Sequence, residues 1–323
     1  MARKLRIERA GAVYHVINRG NYRAHIFGHD RTKQAFLQCL DEGCKKAGWI
    51  VHAWALMDNH FHLALQTPDP NLVEGMQWLQ STFAVRFNRF RGEQGHLFQG
   101  RYKALIVEPG QALGQLCHYL HLNPVRAHLT PVASLRAWRW TSCRWLYHPR
   151  ERPAWYNPTA ALAEPAGLTD TPAGRRQYLA YLSWLSAETE EQKRQGFASM
   201  SKGWALGSLP FKRSLLETAP ADLPAIRSGL AESREARELN WKLSLERLRA
   251  LLPSGADQDR RKSADWKVAL ATVVKDRTTA TNRWLSSSLV MGSLFTLSRL
   301  TAECRQGRRA VALYQLLTAT SKT

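Results

Sequence analysis

The chain has 323 residues, of which 44% are hydrophobic, so it is long enough for about two domains with buried cores, and wholesale disorder is excluded. It lacks an apolar run near the roughly 20 residues that a membrane span needs. Its five scattered cysteines form no CxxC pair, which argues against a disulfide framework or a structural zinc site and favours a cytoplasmic protein. Lysine and arginine number 46 against 26 acidic residues, and this net charge of +20 indicates a polyanionic partner.

The first 150 residues alternate between strand and helix patterns. Hydrophobic periodicity predicts strands at 12–18, 49–56, 60–66 and 101–107, and helices at 31–47, 71–91 and 110–123. We expect the last helix to end at Asn123, because the residue before Pro124 resists helical geometry. The order β-α-β-β-α-β-α predicts an α+β fold of the ferredoxin-like split βαβ type, an antiparallel sheet with helices on one face.

The sequence after residue 150 differs in composition and pattern from the first 150 residues. All 11 histidines lie at or before position 148, which suggests two regions with different roles. We expect a domain at 1–150, a Pro/Ala/Gly-rich linker at 151–175 and a mainly helical domain at 176–323. Two short helices within 264–292 suggest a helix-turn-helix, although the same spacing is common in helical domains generally. The Arg/Trp-rich segment 135–147 can either stack on bases or pack under the sheet edge.

His60 and His62 are the first candidates for chemistry. Side chains alternate along a strand, so the two imidazoles point the same way, roughly 7 Å apart, while Phe61 enters the core. Such a pair can share a metal ion if a third ligand exists. Asn123 offers one, and Tyr119, four residues earlier on the same helix, would lie on the same face. Phosphate oxygens would complete a Mg²⁺ or Mn²⁺ shell, and the phenol would be the nucleophile.

Five motifs in order then resemble a known family. YHVINRGN, IFGHD, MDNHFHLALQTP, FNRFRGEQGHLFQGRYKA and YLHLNPVRA, over about residues 9–147, resemble the REP-associated tyrosine transposases, which are single-tyrosine HUH enzymes. The resemblance implies that His60, His62 and Asn123 bind the metal and that Tyr119 attacks DNA. It also implies cleavage of single-stranded DNA beside hairpins of repetitive extragenic palindromes, through a 5′-phosphotyrosine link.

Several alternatives stay open at this point. Tyr14 and Tyr102 are other candidate nucleophiles, but neither has an amide four residues on along a helix. The chain can instead be a domesticated hairpin-binding protein with little cleavage activity, or a replication or plasmid nuclease of the same chemistry. We expect a monomer or homodimer, with no membrane partner and no small-molecule cofactor. Candidate DNA contacts are Arg3, Lys4, Arg6, Arg9, Arg19, Asn21, Arg101 and Lys103.

Overall fold

A computed structural model describes residues 8–217 and 234–319 of the chain. A five-stranded sheet organises the first part of it. The strands are β1 (Ala12–Arg19), β2 (Ile50–Leu56), β3 (His60–Thr67), β4 (Lys103–Val107) and the short β5 (Ala205–Leu206), in the order β2-β3-β1-β4-β5. The first four strands pair antiparallel, and β5 joins β4 in parallel, so the sheet is mixed.

Helices cover both faces of this sheet. On β3, Phe61 packs against Phe36 of α1 (Asp30–Ala47), whose ring meets Phe83 of α2 (Leu72–Arg91). The next residue, His62, points to the opposite face and meets Tyr119 of α3 (Gln111–Arg126). The predicted α+β class is confirmed, but α3 lies across the sheet from α1 and α2 instead of beside them.

Helix α2 is anchored by an apolar stripe along its first three turns. Leu72, Met76, Leu79 and Phe83 are fully buried, whereas Phe90 is 63% exposed. The stripe therefore leaves the core after Phe83, and the last turn of α2 projects from the sheet layer. Gly92 ends the helix in a left-handed conformation, as glycine at this position commonly does.

Helix α3 continues one turn beyond the predicted end. It passes through Pro124 and ends at Arg126, instead of stopping at Asn123. A proline inside a helix removes one backbone donor, the one that would reach the carbonyl of Leu120. The turn is retained because it closes with ordinary bonds, among them those from the amide of Ala127 to the carbonyl of Asn123 and from Leu129 to Pro124.

The Arg/Trp-rich segment packs at the sheet edge. The amide of Leu56 donates to the carbonyl of Trp140, and the amide of Ser142 donates to the carbonyl of Trp54, so the segment runs along the outer side of β2. Trp145, in the short helix α4 (Cys143–Tyr147), packs edge-on against Trp54. Of the two alternatives left open by the sequence, the structure shows the packing one, which also covers an otherwise open strand edge.

Residues 151–175, expected as an extended linker, contain the helix α5 (Thr159–Ala166). This helix packs so closely on α3 that a Cβ on Gly114 would lie 2.2 Å from Cβ of Glu164. Asp170 pairs with both Arg152 and Arg175 and fixes the end of the segment. The remaining helices of this part are α6 (Pro172–Ala187), α7 (Thr189–Arg194) and α8 (Leu209–Glu217). Contacts group the chain up to Lys212 into one compact unit.

The second compact unit begins at Arg213 and is helical where it is described. Its helices after α8 are α9 (Arg234–Ala250), α10 (Asp265–Arg277), α11 (Asn282–Ser288), α12 (Leu294–Arg305) and α13 (Val311–Ala319). Helix α10 is buried on every side from Trp266 to Val274 and forms the centre of this unit. The helices α10 and α11 coincide with the suggested helix-turn-helix, whose DNA-reading role stays a prediction. No helix among the described residues is both long and apolar enough to cross a membrane.

Candidate active site

The pairing register of three strands brings the polar residues of the site to one face. His62 lies opposite Ile17, which in turn lies opposite Lys103. Two pairs further along, His60 lies opposite Arg19. Directly opposed residues in an antiparallel pair share a face, so a guanidinium on β1 and an ammonium on β4 lie on the same face as the two imidazoles and on the same side of β3.

His60 and His62 form the predicted imidazole pair. Their ring centroids are 5.0 Å apart. The Nδ1–H of His60 donates to Oδ1 of Asn59 at 2.7 Å, and the Asn59 amide is itself oriented by donating to the carbonyl of Arg23. Burial, followed by the charge of Arg19, lowers the pKa of His60 to about 4. The ring is therefore neutral at pH 7, with its Nε2 lone pair free.

His62 reaches the same state through a third histidine, which sequence reasoning did not single out. His15 Nδ1 lies 2.8 Å from the carbonyl of Met200, which can only accept, so this nitrogen carries the proton. Burial lowers the pKa of His15 to about 4, so the ring is neutral and its Nε2 accepts from Nδ1–H of His62 at 2.9 Å. Burial also lowers the pKa of His62 well below its usual value. His62 thus also presents an unprotonated Nε2.

Tyr119 faces these imidazoles from α3. Its ring centroid lies 5.9 Å from that of His62 and 6.2 Å from that of His15, both edge-on. Phe197 packs against the ring edge-on at 5.5 Å, and the guanidinium of Arg126 lies 5.2 Å from its centroid. The hydroxyl is 3.4 Å from Oγ of Ser201, and the residue is 9% exposed.

Asn123 lies one turn after Tyr119 on the same helix, as the sequence predicted. It is buried, and its side-chain nitrogen has no hydrogen-bond partner. Nε2 of His60 and Nε2 of His62 likewise have no partner within residues 8–217 and 234–319. Two neutral imidazoles are suitable ligands for a divalent cation, and Asn123 would have to coordinate it through its side-chain oxygen Oδ1, because an amide nitrogen is a hydrogen-bond donor and not a ligand. Within the described residues no three His, Cys, Asp or Glu side chains come together as a metal site.

The other two candidate tyrosines lie away from the imidazole pair. Tyr14 points to the opposite face of β1 from its neighbour His15, and its hydroxyl accepts from the amide of Arg9 at 3.1 Å. The hydroxyl of Tyr102 donates to the carbonyl of Leu72 at 3.4 Å, at the start of α2. Of the three tyrosines, Tyr119 alone is placed against His62.

Two histidines of α3 have structural partners. His118 donates from Nε2 to the carbonyl of Ala161 at 3.0 Å. His121 lies between the hydroxyls of Tyr178 and Ser142, at 2.8 and 2.9 Å. Burial lowers the pKa of His118 to about 4 and that of His121 to about 3. Both rings belong to the core between α3 and the helices that follow it.

The candidate DNA contacts are divided in space. Arg19 and Lys103 flank the site, and Nζ of Lys103 donates to the carbonyl of Ser201 at 2.6 Å. Burial lowers the pKa of Lys103. The backbone of Asn21 bonds to Leu97. Arg101 lies just before β4, and Arg9 lies just before β1. Arg3, Lys4 and Arg6 fall outside the described residues.

A sheet that presents two imidazoles to a helical tyrosine is the arrangement expected of a single-tyrosine nuclease of the HUH type. Residues 9–123 match the family model described as Transposase IS200 like. Residues 9–123 therefore form an IS200-like transposase domain of the single-tyrosine (Y1) type.

Two solved structures are similar to parts of the chain. One is a REP-associated tyrosine transposase bound to a REP hairpin, with 14% identity over 49% of this chain and 92% of that one, and a TM-score of 0.39. The other is a Deinococcus radiodurans R1 protein described as a transposase, with 20% identity over 40% of this chain and 92% of that one, and a TM-score of 0.28. No curated protein is significantly similar to the chain.

Proposed function

We propose that the protein cleaves and transfers single-stranded DNA beside hairpins of repetitive extragenic palindromes, with Tyr119 as the nucleophile. The observation that carries the proposal is the placement of Tyr119 against His62, with His60 beside His62 and both imidazoles held neutral with Nε2 unprotonated. The choice of a palindromic hairpin as substrate is supported by the resemblance of the five sequence motifs to REP-associated enzymes.

His60, His62 and the amide of Asn123 would hold a Mg²⁺ or Mn²⁺ ion. Bound there, the ion would supply positive charge to a scissile phosphodiester as a Lewis acid. The hydroxyl oxygen of Tyr119 attacks phosphorus, and the bond from phosphorus to the 3′ oxygen breaks. The products are a 5′-phosphotyrosine link and a 3′-OH, which takes up the proton that the phenol gives up. The link conserves the energy of the phosphodiester, so the reverse attack by a 3′-OH joins strands.

The surrounding side chains support this step by position and charge. Phe197 and Arg126 both contact the phenol ring, which keeps the ring against His62. Arg19 and Lys103 place positive charge beside the pair, on the side of β1 and β4, where phosphates of a single strand would lie. We also propose phosphate contacts by Arg9, Asn21 and Arg101, and by the arm bearing Arg3, Lys4 and Arg6.

Tyr119 and the imidazole pair lie in the same compact unit of one chain. This supports a monomer as the acting form, with a homodimer as the alternative. We propose that the protein acts in the cytoplasm. The five cysteines are all free and buried, which suits a reducing compartment.

The test is a covalent-adduct gel. Wild type and Tyr119→Phe are incubated with single-stranded DNA carrying a palindromic hairpin from the host's intergenic repeats, labelled on the strand that keeps the 5′-phosphate. The lanes contain Mg²⁺, Mn²⁺ or EDTA. We expect a labelled protein band that needs the metal and vanishes in Tyr119→Phe. His121→Gln is the matched control, since it changes a buried α3 residue outside the site.

Persistence of the band in Tyr119→Phe would remove Tyr119 as the nucleophile. A shifted hairpin without any adduct would favour the second candidate, a hairpin-binding protein without useful turnover. One observation speaks for that candidate. Phe197, Ser201 and Arg126 cover Tyr119 closely, so that little of it is exposed.

A further inference from the structure

A buried chain of hydrogen bonds runs from a backbone carbonyl to the imidazole pair. It starts at the carbonyl of Met200, passes through both nitrogens of His15 and ends at Nδ1 of His62. The His15 ring is completely buried and stacks on His62 with centroids 5.1 Å apart. Water therefore cannot reach the two hydrogen bonds of His15 to replace either of them.

The direction of this chain follows from its first member. A carbonyl oxygen only accepts, so the proton on His15 sits on Nδ1 and the Nε2 lone pair faces His62. Nδ1 of His62 must then donate, and its Nε2 is left unprotonated. In a free neutral imidazole the proton prefers Nε2, so the surroundings impose the rarer tautomer on His62. The hydrogen bond at one ring nitrogen sets the state of the other.

A different hydrogen bond fixes His60 in the same tautomer. Its Nδ1 donates to the side chain of Asn59, its immediate neighbour in sequence. His62 has no such local partner and depends on a residue far along the chain. Met200 lies outside residues 9–123, the range that matches the family model.

We propose that His15 is a positioning residue that transmits the hydrogen bond of the Met200 carbonyl to His62 and so keeps the Nε2 lone pair of His62 available to a divalent cation. The inference rests on the proposed metal-binding role of His62. It assigns the segment around Met200, which follows the transposase domain in sequence, to the catalytic site. The same segment places Phe197 and Ser201 against Tyr119.

The experiment compares the full chain with two variants of His15. In His15→Gln, the side-chain amide can donate to the carbonyl of Met200 and accept from Nδ1 of His62, so the chain of bonds is conserved. In His15→Leu, it is interrupted. His52→Leu is the matched control, because His52 is a buried histidine of β2 that bonds to Gln66 and not to the site. Circular dichroism checks that each variant is folded.

The first readout is the tautomer of His62 in metal-free protein, read from the ¹⁵N chemical shifts of its ring. The signals are assigned by their absence in His62→Gln. We expect the Nδ1–H form in wild type, His15→Gln and His52→Leu, and a shift toward the Nε2–H form in His15→Leu. If His62 of the wild type is in the Nε2–H form, that result alone overturns the proposal, whatever the variants show.

The second readout is Mn²⁺ binding followed by electron paramagnetic resonance. Loss of a residue that orients a metal-binding histidine typically weakens affinity by 10- to 100-fold, and we expect a loss in that range for His15→Leu and near-normal binding for His15→Gln. Equal Mn²⁺ affinity in His15→Leu and wild type would overturn the inference. If wild type binds Mn²⁺ with the expected tautomer but forms no DNA adduct, the proposed function fails while this inference stands.

Discussion

Acidification from pH 7.5 to pH 5.0 should destabilise the first compact unit far more than the second. His15, His118 and His121 are completely buried, and burial lowers their pKa values to about 4, 4 and 3. In the unfolded chain each takes up a proton below about pH 6.5. In the folded unit these rings stay unprotonated until the pH approaches 4. Their contribution to the free energy of unfolding is therefore fully present above pH 6.5 and is lost as the pH falls from 6.5 toward 4.

The size of the effect follows from the unfolded state. At pH 5.0 an unfolded histidine lies 1.5 units below its own pKa of about 6.5, which favours unfolding by about 2 kcal/mol. This value holds for any folded pKa well below 5. Three such rings remove about 6 kcal/mol, a large part of the roughly 5–15 kcal/mol that stabilises a typical domain. The second unit contains no histidine, since all 11 lie at or before position 148. Its unfolding free energy should hardly change.

The assay reads both units in one full-length sample with EDTA present. The protein is equilibrated in urea at each pH and pulsed with a thiol reagent that reacts in acid. Mass spectrometry then follows Cys117 for the first unit and Cys304 for the second, both buried when folded. We expect His118→Gln to reduce the pH slope by about one proton. A change of less than about 1 kcal/mol at Cys117, or an equal change at both cysteines, would show that the buried imidazoles do not set the acid sensitivity of the first unit.

Three further substitutions test packing and charge. Gly75→Ala should lower the free energy of unfolding by about 2 kcal/mol in urea titrations, because the added Cβ would lie 2.1 Å from Cζ2 of Trp49. Gly43→Ala on α1 is the control. Its added Cβ would meet the nearest atom only at 3.4 Å, so the substitution should be neutral or slightly stabilising. Lys103→Gln should weaken the binding of hairpin DNA. The slope of log binding constant against log salt concentration should become shallower by about 0.7, as expected for one lost contact to a single-stranded phosphate. If fluorescence anisotropy shows an unchanged slope, Lys103 is not part of the DNA interface.

Local pattern was enough for the elements that carry the site. The alternation in His60-Phe61-His62 indicated which side chains share a face, and the structure places Phe61 in the aromatic core and His62 against Tyr119. The spacing of Tyr119 and Asn123 indicated one helical face, and both lie on α3. These predictions succeeded because each depends on the period of a single strand or helix.

The parts that sequence reasoning missed depend on distant pairing. His15 lies in the first predicted strand, and the alternation of that strand would have placed it on the face of Ile17 and Arg19. Only the register between β1 and β3 brings that face to His62. Nothing local in the segment from Phe197 to Ser201 indicates that its carbonyls and side chains meet the site, because β5 pairs with β4 across about a hundred residues of chain.

The continuation of α3 through Pro124 decides how the nucleophile is held. Tyr119, Asn123 and Arg126 stand at positions i, i+4 and i+7, which share one face only while the helix persists. Had the chain left the helix at Asn123, nothing would bring Arg126 back over the phenol ring, where its guanidinium lies 5.2 Å from the centroid. The bonds that close the last turn after Pro124 therefore serve the site as well as the fold. The rule that a helix ends before proline fails here because those bonds keep the turn that carries Arg126.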